Sequence, residues 1–123
     1  MGWRMHDLAN RENTLKVNAW IWRPTLEILK TLDILDEDRL ERMQSNVIVT
    51  ITPEEAHAIA DELESRFLSR MNSDERVRLD LTLTDEPDDI QLHDDDLKNY
   101  GATQDWVQRF VDFCRSCSGF EIG

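Results

Sequence analysis

Near the N-terminus, apolar and polar positions alternate on either side of a short polar segment. Residues Trp3 to His6 precede the polar residues 10–13, and every second position is then apolar at Leu15, Val17, Ala19 and Ile21. A repeat of two residues is typical of a β-strand, so the segment predicts a β-hairpin. Trp20 and Trp22 then lie on the opposite face of the second strand. Because that strand carries apolar surface on both sides, we expect helices to cover at least one of them.

After Pro24 the spacing of apolar residues changes to that of a helix. Proline is common in the first helical turn, where its missing N–H is not needed, and Leu26, Leu29 and Leu32 follow at helical spacing. Asp36 is a suitable N-cap for a shorter helix that is predicted to run to about Gln44. In that helix Leu40 and Met43 are expected to face inward.

The clearest helix signal begins at Thr52. Thr52, Pro53 and Glu55 supply a capping hydroxyl, a proline at the first helical position and a glutamate three residues after the cap. A long helix is therefore predicted from this point. Its predicted buried stripe is Ala56, Ile59, Ala60, Leu63, Phe67 and Met71, and its predicted solvent face contains Glu54, His57, Asp61 and Glu64.

A last helix is predicted from an N-cap at Thr103 to about Cys117, with Gly119 as the residue that ends it in a left-handed conformation. Its apolar residues cover more than half of its circumference, so this helix is expected to lie in the core. They are Trp106, Val107, Phe110, Phe113, Cys114 and Cys117.

The fold class follows from these elements. Between the last two helices, alternating apolar residues from Val77 to Leu83 predict an edge strand. We find no internal repeat and no low-complexity linker, and 123 residues is the length of one domain. The sequence predicts a single compact α+β domain over residues 1–123. An N-terminal β-hairpin packs with three to four helices, including a long central helix and a C-terminal core helix.

The net charge of the chain limits the classes of partner that we expect it to bind. The chain has 26 acidic and 14 basic residues, a net charge of −12. Proteins that bind nucleic acid or anionic membranes through their charge are basic, so we expect no nucleic acid and no membrane as partner. A strongly acidic surface would instead attract a basic protein.

The highest local density of acidic residues lies between positions 85 and 96. The candidate binding residues here are Asp88, Asp89, Asp94, Asp95 and Asp96. A calcium loop of the EF-hand type is not indicated, because the stretch lacks the central glycine and the final glutamate. The alternative is a solvated loop that serves solubility.

A second candidate surface is the aromatic segment Trp20, Trp22 and Arg23. Tryptophan and arginine dominate the residues that contribute most to protein interfaces, so this segment could recognise a partner. The alternative is that both tryptophans belong to the core, because a domain of this size needs its largest apolar side chains inside.

Signatures of catalysis and metal binding are sparse. Cys114 and Cys117 form a CxxC at the C-terminal end of the predicted helix, where the helix dipole disfavours a thiolate, so buried structural thiols are expected. A zinc site would need a second pair of ligands. Glu54, His57 and Asp61 share one helical face, but one Glu-x-x-His supplies only half of a di-iron site. We expect no catalytic residue, no metal and no cofactor.

Two segments of the chain support a resemblance. The residues from Asn18 to Thr25 contain Trp-x-Trp-Arg-Pro, and those from Phe113 to Phe120 contain Phe-Cys-Arg-Ser-x-x-Gly-Phe. They resemble a group of small bacterial proteins with these two features. The resemblance implies a bacterial, intracellular, single-domain protein and supplies no catalytic residue. The residues 1–6 also lack the apolar stretch of a signal peptide, so a cytoplasmic location is expected.

Three functions remain open on sequence grounds. The first is a protein-binding module, of the immunity or inhibitor type, that captures a basic protein. The second is a small metal- or thiol-dependent enzyme that uses Cys114 and Cys117. The third is a structural protein that forms homo-oligomers through Trp20, Trp22 and the segment Val77 to Leu83.

Overall fold

A computed structural model describes residues 2–45, 47–79, 81–84 and 101–123. The strands in these ranges are β1 (Gly2–Asp7), β2 (Thr14–Asn18), β3 (Val49–Ile51), β4 (Arg76–Val77), β5 (Leu83–Thr84), β6 (Ala102–Thr103) and β7 (Phe120–Ile122). The helices are α1 (Ala19–Leu32), α2 (Glu37–Gln44), α3 (Pro53–Arg66), a short 3-10 turn (Leu68–Arg70) and α4 (Gln104–Ser116). The chain is therefore an α+β domain with an N-terminal hairpin.

The strands form two antiparallel sheets. The larger sheet has the order β2-β1-β7-β3, so the last strand of the chain lies between the first strand and the third. Trp3 pairs with Val17 and Met5 with Ile122, and these residues are buried on one face of the sheet. Arg4 and Lys16 alternate with them and are exposed on the other face. The smaller sheet has the order β5-β4-β6.

One core connects both sheets with the four helices. Buried residues of α1, α3, α4 and the larger sheet belong to a single cluster. At its centre Phe110 stacks on Trp106, with ring centroids 5.5 Å apart, and meets Trp22 edge-on at 6.1 Å. The predicted core position of the C-terminal helix is confirmed, because its six predicted apolar residues are all buried.

Helix ends agree with the capping signals in the sequence. Asp36, Thr52 and Thr103 each accept a hydrogen bond from a backbone N–H in the first turn of α2, α3 and α4. Thr52 and Glu55 form a complete capping box. Gly119 has a φ of +82°, and a Cβ there would lie 2.8 Å from the carbonyl oxygen of Ile51. Only glycine combines this backbone with such close contact to β3.

The first helix corrects two of the predictions. The second strand ends at Asn18 rather than continuing through Trp22, because the Asn18 side chain accepts a hydrogen bond from the N–H of Ile21 and starts α1. Pro24 consequently lies inside the helix and not in its first turn. Proline cannot donate to the carbonyl of Trp20, and the N–H of Gly101 donates to that oxygen instead, at 3.0 Å.

The segment from Val77 to Leu83 also differs from the prediction. It forms the two short strands β4 and β5, which pair with each other, instead of one edge strand. Leu81, in the turn between them, has a φ of 69°. The alternation of apolar residues continues through this turn, which explains why it predicted one continuous strand. The predicted long helix is likewise shorter, because α3 ends at Arg66 and a 3-10 turn follows.

No helix within the described ranges is both long enough and apolar enough to cross a bilayer.

Candidate functional site

Helices α1 and α2 form an antiparallel pair whose seam opens into two grooves. The chain reverses at Asp33, which ends α1 with a left-handed φ of 56°. The indole Nε1 of Trp22 donates to the carbonyl oxygen of Met43 at 3.1 Å and so attaches the end of α2 to the start of α1. Gln44 lies between the two grooves and lines both of them.

The acidic groove lies where α1 ends and α2 begins. It has a volume of about 440 Å³ and is lined by Lys30, Asp33, Leu35, Glu37, Leu40, Glu41 and Gln44. Leu35 and Leu40 are buried and form an apolar floor, whereas the three carboxylates are exposed. Within the described residues none of these three carboxylates is in an ion pair. Their charge is therefore available to a partner.

Glu37 and Glu41 lie on one face of α2 because they are four residues apart. Like charges at this spacing repel each other slightly, whereas the position of Glu37 in the first turn of α2 is favourable for a negative charge. The groove is also lined by Lys30, whose Nζ lies 3.0 Å from a carboxylate oxygen of Glu27. The groove thus combines an apolar floor with three carboxylates and one lysine.

The acidic groove belongs to an acidic part of the sequence. Residues 33–64, which include α2 and most of α3, contain ten acidic and two basic residues. On α3 the predicted solvent face is confirmed for Glu54, His57 and Asp61, which are exposed. Asp61 and Glu64 contact Arg115 of α4, so part of this face joins two helices. Asp61 and Glu64 therefore connect α3 to α4 as well as facing solvent.

The second groove lies between α1, β1 and the end of α2, and is called the tryptophan groove here. Its volume is about 620 Å³, and it is lined by Trp3, Ala19, Trp22, Arg23, Leu26, Glu27, Gln44, Ser45 and Leu79. The rings of Trp3 and Trp22 are 6.4 Å apart and tilted by 37°. Apolar side chains form most of its wall, and Arg23, Gln44 and Ser45 are exposed at the rim.

The structure separates the predicted aromatic residues. Trp22 is fully buried, whereas Trp20 is 42% exposed. On a helix, residues two apart point to nearly opposite sides, so the two indoles cannot share one recognition face. Trp22 is a core residue that also forms part of the groove wall. Arg23 lies at the groove rim, as an exposed residue of α1.

The predicted acidic residues Asp88, Asp89, Asp94, Asp95 and Asp96 lie outside the described residues. Sequence reasoning did not select Trp3, Asp33, Glu37 or Glu41 as binding residues. Glu37 and Glu41 had a signal in the sequence, namely two acids four apart on the polar side of an amphipathic helix. Asp33 and Trp3 had none, because only the folded chain brings them to the grooves.

Cys114 and Cys117 are buried free thiols. Burial raises the pKa of Cys114 well above its usual range, and burial also raises the pKa of Cys117. The Cys117 thiol donates to the carbonyl oxygen of Cys114, at 3.5 Å. The thiolate is the reactive form of cysteine, so neither residue is prepared for nucleophilic chemistry in this environment. The described ranges also contain no cluster of three or more His, Cys, Asp or Glu side chains arranged to hold a metal ion.

Both thiols are expected to resist modification in the folded protein. A thiol-reactive reagent should label them at least about 100-fold more slowly in buffer than in denaturant, because labelling requires local opening. Ser116→Cys provides the control, since it places a third thiol at an exposed position of the same helix. Rapid labelling of Cys114 or Cys117 in the native protein would contradict this expectation and favour thiol chemistry.

Comparisons of the chain with models of protein families, with curated proteins and with solved structures found no match.

Proposed function

We propose that this protein is a binding module that captures a basic protein, in the manner of an immunity protein or inhibitor. The observation that carries the proposal is the acidic groove. Asp33, Glu37 and Glu41 line this groove together with an apolar floor and make no ion pair within the described part of the chain. The acidic residues 85–96 support the proposal only by the negative charge that they add. They include Asp88, Asp89, Asp94, Asp95 and Asp96.

The chemistry of the groove suits a lysine or arginine side chain of the partner. The aliphatic part of such a side chain can lie on Leu35 and Leu40, while its charged end reaches the carboxylates at the rim. The wider field of a protein with a net charge of −12 would accelerate association with a basic surface. A typical interface buries about 800 Å² per partner. The accessible surface of 6884 Å² offers ample room for one.

Charge reversal in the groove tests the proposal. The tagged protein is used to capture partners from a bacterial lysate at low and high salt, and the bound proteins are identified by mass spectrometry. We expect a basic protein that salt releases, and we expect Glu37→Lys with Glu41→Lys to weaken its binding at least about tenfold. The double variant Asp94→Lys with Asp95→Lys measures how much the acidic residues 85–96 contribute to the affinity for the partner.

A matched control separates the groove from net charge. Glu12→Lys with Asp74→Lys changes the net charge equally, at two exposed residues that do not line the acidic groove. The control should retain most of the affinity. Equal loss in both double variants would show that only overall charge matters. Binding that is indifferent to salt and to every reversal, or no basic protein at all, would overturn the proposal.

Self-association is the second candidate, and one observation favours it. Val47 and Ile48 are 47% and 63% exposed, immediately before the edge strand β3. Exposed apolar residues beside a sheet edge promote pairing between chains. The sequence predicted an interface formed by Trp20, Trp22 and residues 77–83. Trp22 cannot take part in it, because its side chain is buried. Light scattering that shows a monomer at high concentration would remove this candidate.

A further inference from the structure

The N-terminal hairpin carries more basic than acidic residues in a chain that is otherwise strongly acidic. Residues 2–18 contain three Arg or Lys and two Asp or Glu, whereas the other positions contain 11 and 24. One of the two hairpin acids, Asp7, is buried and accepts hydrogen bonds from the backbone N–H groups of Ala9 and Ser118. The solvent-facing side of the hairpin is therefore basic, although the net charge of the chain is −12.

Arg4 and Lys16 lie side by side on this face and are called the basic pair here. They are directly opposite each other in the ladder of β1 and β2, and both are exposed. The N–H and the carbonyl oxygen of Arg4 both bond to Gly123, on the β7 side of β1. Arg4 and Lys16 therefore form a non-hydrogen-bonded pair, the kind whose side chains are closest in an antiparallel sheet. Like charges in this position repel each other.

No carboxylate of the described chain neutralises the basic pair. Neither residue is in an ion pair there, whereas at least seven other basic residues contact a carboxylate. Arg11, for example, lies 3.6 Å from Glu121 of the same sheet. The basic pair is therefore available to an acidic partner.

The acidic groove is the complementary surface, and it lies on the same chain. Its carboxylates Asp33, Glu37 and Glu41 are without ion pairs in the described ranges, and its apolar floor suits the aliphatic part of an arginine or lysine. The shallow depression around the basic pair shares no lining residue with this groove. Since no ion pair joins the two surfaces within the described chain, a contact between them has to join two copies.

We propose that the protein associates with itself head to tail, with the basic pair of one copy in the acidic groove of a second copy. The contact uses two different surfaces, so it produces a ring or an open chain of copies and not a symmetric dimer. Two copies with a net charge of −12 repel each other at long range. At about 0.1 M salt the Debye length is about 10 Å, so this repulsion is screened while ion pairs at contact distance persist.

Sedimentation velocity of the full chain tests the proposal. At about 0.1 M salt we expect the weight-average sedimentation coefficient to rise with protein concentration, and at about 1 M salt, where the Debye length is about 3 Å, we expect the rise to disappear. Arg4→Gln with Lys16→Gln should weaken self-association at least about tenfold, and so should Glu37→Gln with Glu41→Gln. All four residues are exposed, so these variants are expected to fold.

A control variant separates the basic pair from net charge. Arg70→Gln with Arg109→Gln also removes two exposed positive charges, at residues that line neither surface. This variant should associate like the wild type. Equal loss in the control would show that only overall charge matters and would overturn the proposal.

Mixing the two neutral variants distinguishes a head-to-tail contact from a symmetric one. The variant without the basic pair retains the acidic groove, and the other retains the basic pair, so an equal mixture has one intact contact for each two chains. We expect the mixture to form dimers and nothing larger. A symmetric interface, for example through Val47 and Ile48, would leave each variant associating by itself and would contradict the proposal. A mixture that stays monomeric, or a wild type that is monomeric at the highest concentration, would do the same.

The contact rests on the acidic groove of the proposed function but needs no other protein, so the two can fail separately. Capture of a basic protein by a chain that is monomeric in solution would retain the proposed function and reject the basic pair as a ligand of the groove. Self-association that depends on the basic pair and on Glu37 and Glu41, with no basic protein captured, would support the head-to-tail contact and reject the proposed partner.

Discussion

Trp22→Ala is expected to lower the free energy of unfolding by about 3–5 kcal/mol, because it removes a large, fully buried side chain and leaves a cavity. The substitution eliminates the contacts of the indole with Trp3 and Phe110. It also removes the donor to the Met43 carbonyl oxygen, which connects α2 to α1. Domains of this size are stable by about 5–15 kcal/mol, so this loss removes from about a fifth to all of the stability.

The matched control is Trp20→Ala, which changes the same residue type two positions earlier on the same helix. Trp20 is 42% exposed, so we expect a loss of about 1 kcal/mol or less. Urea denaturation followed by far-UV circular dichroism measures the free energy of unfolding of both variants. The far-UV signal reports helix content and does not depend on the tryptophan that is removed. Equal losses in the two variants would contradict the assignment of Trp22 to the core and Trp20 to the surface.

The error at the start of α1 has a physical origin. Apolar residues at every second position from Leu15 to Ile21 have the spacing of a strand. Trp22, Leu26 and Leu29 have the spacing of a helix, and this helix begins within the segment that the strand pattern covers. The choice depends on Asn18, whose side chain caps the helix, and on the N–H of Gly101, which bonds to the carbonyl left without a donor by Pro24. The second contact joins residues far apart in sequence, and no local pattern reveals it.

Elements with local signals were predicted well. The helices that begin after Asp36, Thr52 and Thr103 were placed correctly at their first residues, because an N-cap acts on the N–H groups that follow it directly. The turn at Leu81 was missed because its left-handed backbone carries no glycine. A leucine adopts this backbone conformation only when the surrounding structure stabilises it, and no local sequence pattern indicates that.

The candidate site was less predictable than the fold. Its two grooves depend on how α1 and α2 meet, and hence on the reversal at Asp33 and the bond from Trp22 to Met43. Acidic residues are densest at positions 85–96, which the sequence therefore predicted as a binding surface, although residues 33–64 contain more acidic residues in total. Asp33, Glu37 and Glu41 come together at the acidic groove only after folding.

The second large effect is an acid-sensitive stability that depends on Glu55. The guanidinium of Arg39 contacts Glu55, at 2.7 Å from Nη1 to Oε1, and also contacts Asp36 and the carbonyl oxygen of Thr50. One side chain therefore joins the first turns of α2 and α3 to β3. Hydrogen bonds from Arg39 lower the pKa of Glu55 to about 2 from the usual 4.5, and the pKa of Asp36 is lowered by the same partner.

The sign of the pH dependence follows from these shifts. Between the two pKa values of Glu55 the unfolded chain binds the proton more readily than the folded one, so stability rises with pH there. The contribution of Glu55 is complete above about pH 5 and disappears as the pH falls towards 2. Since one fifth of the Glu55 side chain is exposed, at 21%, we expect a contribution of about 2 kcal/mol, less than full linkage would give.

Glu55→Gln isolates this contribution, because glutamine can retain the capping box while it removes the charge. The difference in unfolding free energy between wild type and Glu55→Gln should be about 2 kcal/mol at pH 7 and should vanish near pH 2. Arg39→Met should remove the same pH dependence, because Glu55 then titrates near its ordinary pKa. Glu62→Gln breaks an exposed ion pair with Arg66 on the same helix and should change stability by less than about 0.5 kcal/mol. A pH-independent difference for Glu55→Gln, or an equal effect of Glu62→Gln, would show that Arg39 does not stabilise the junction through the ionised carboxylate.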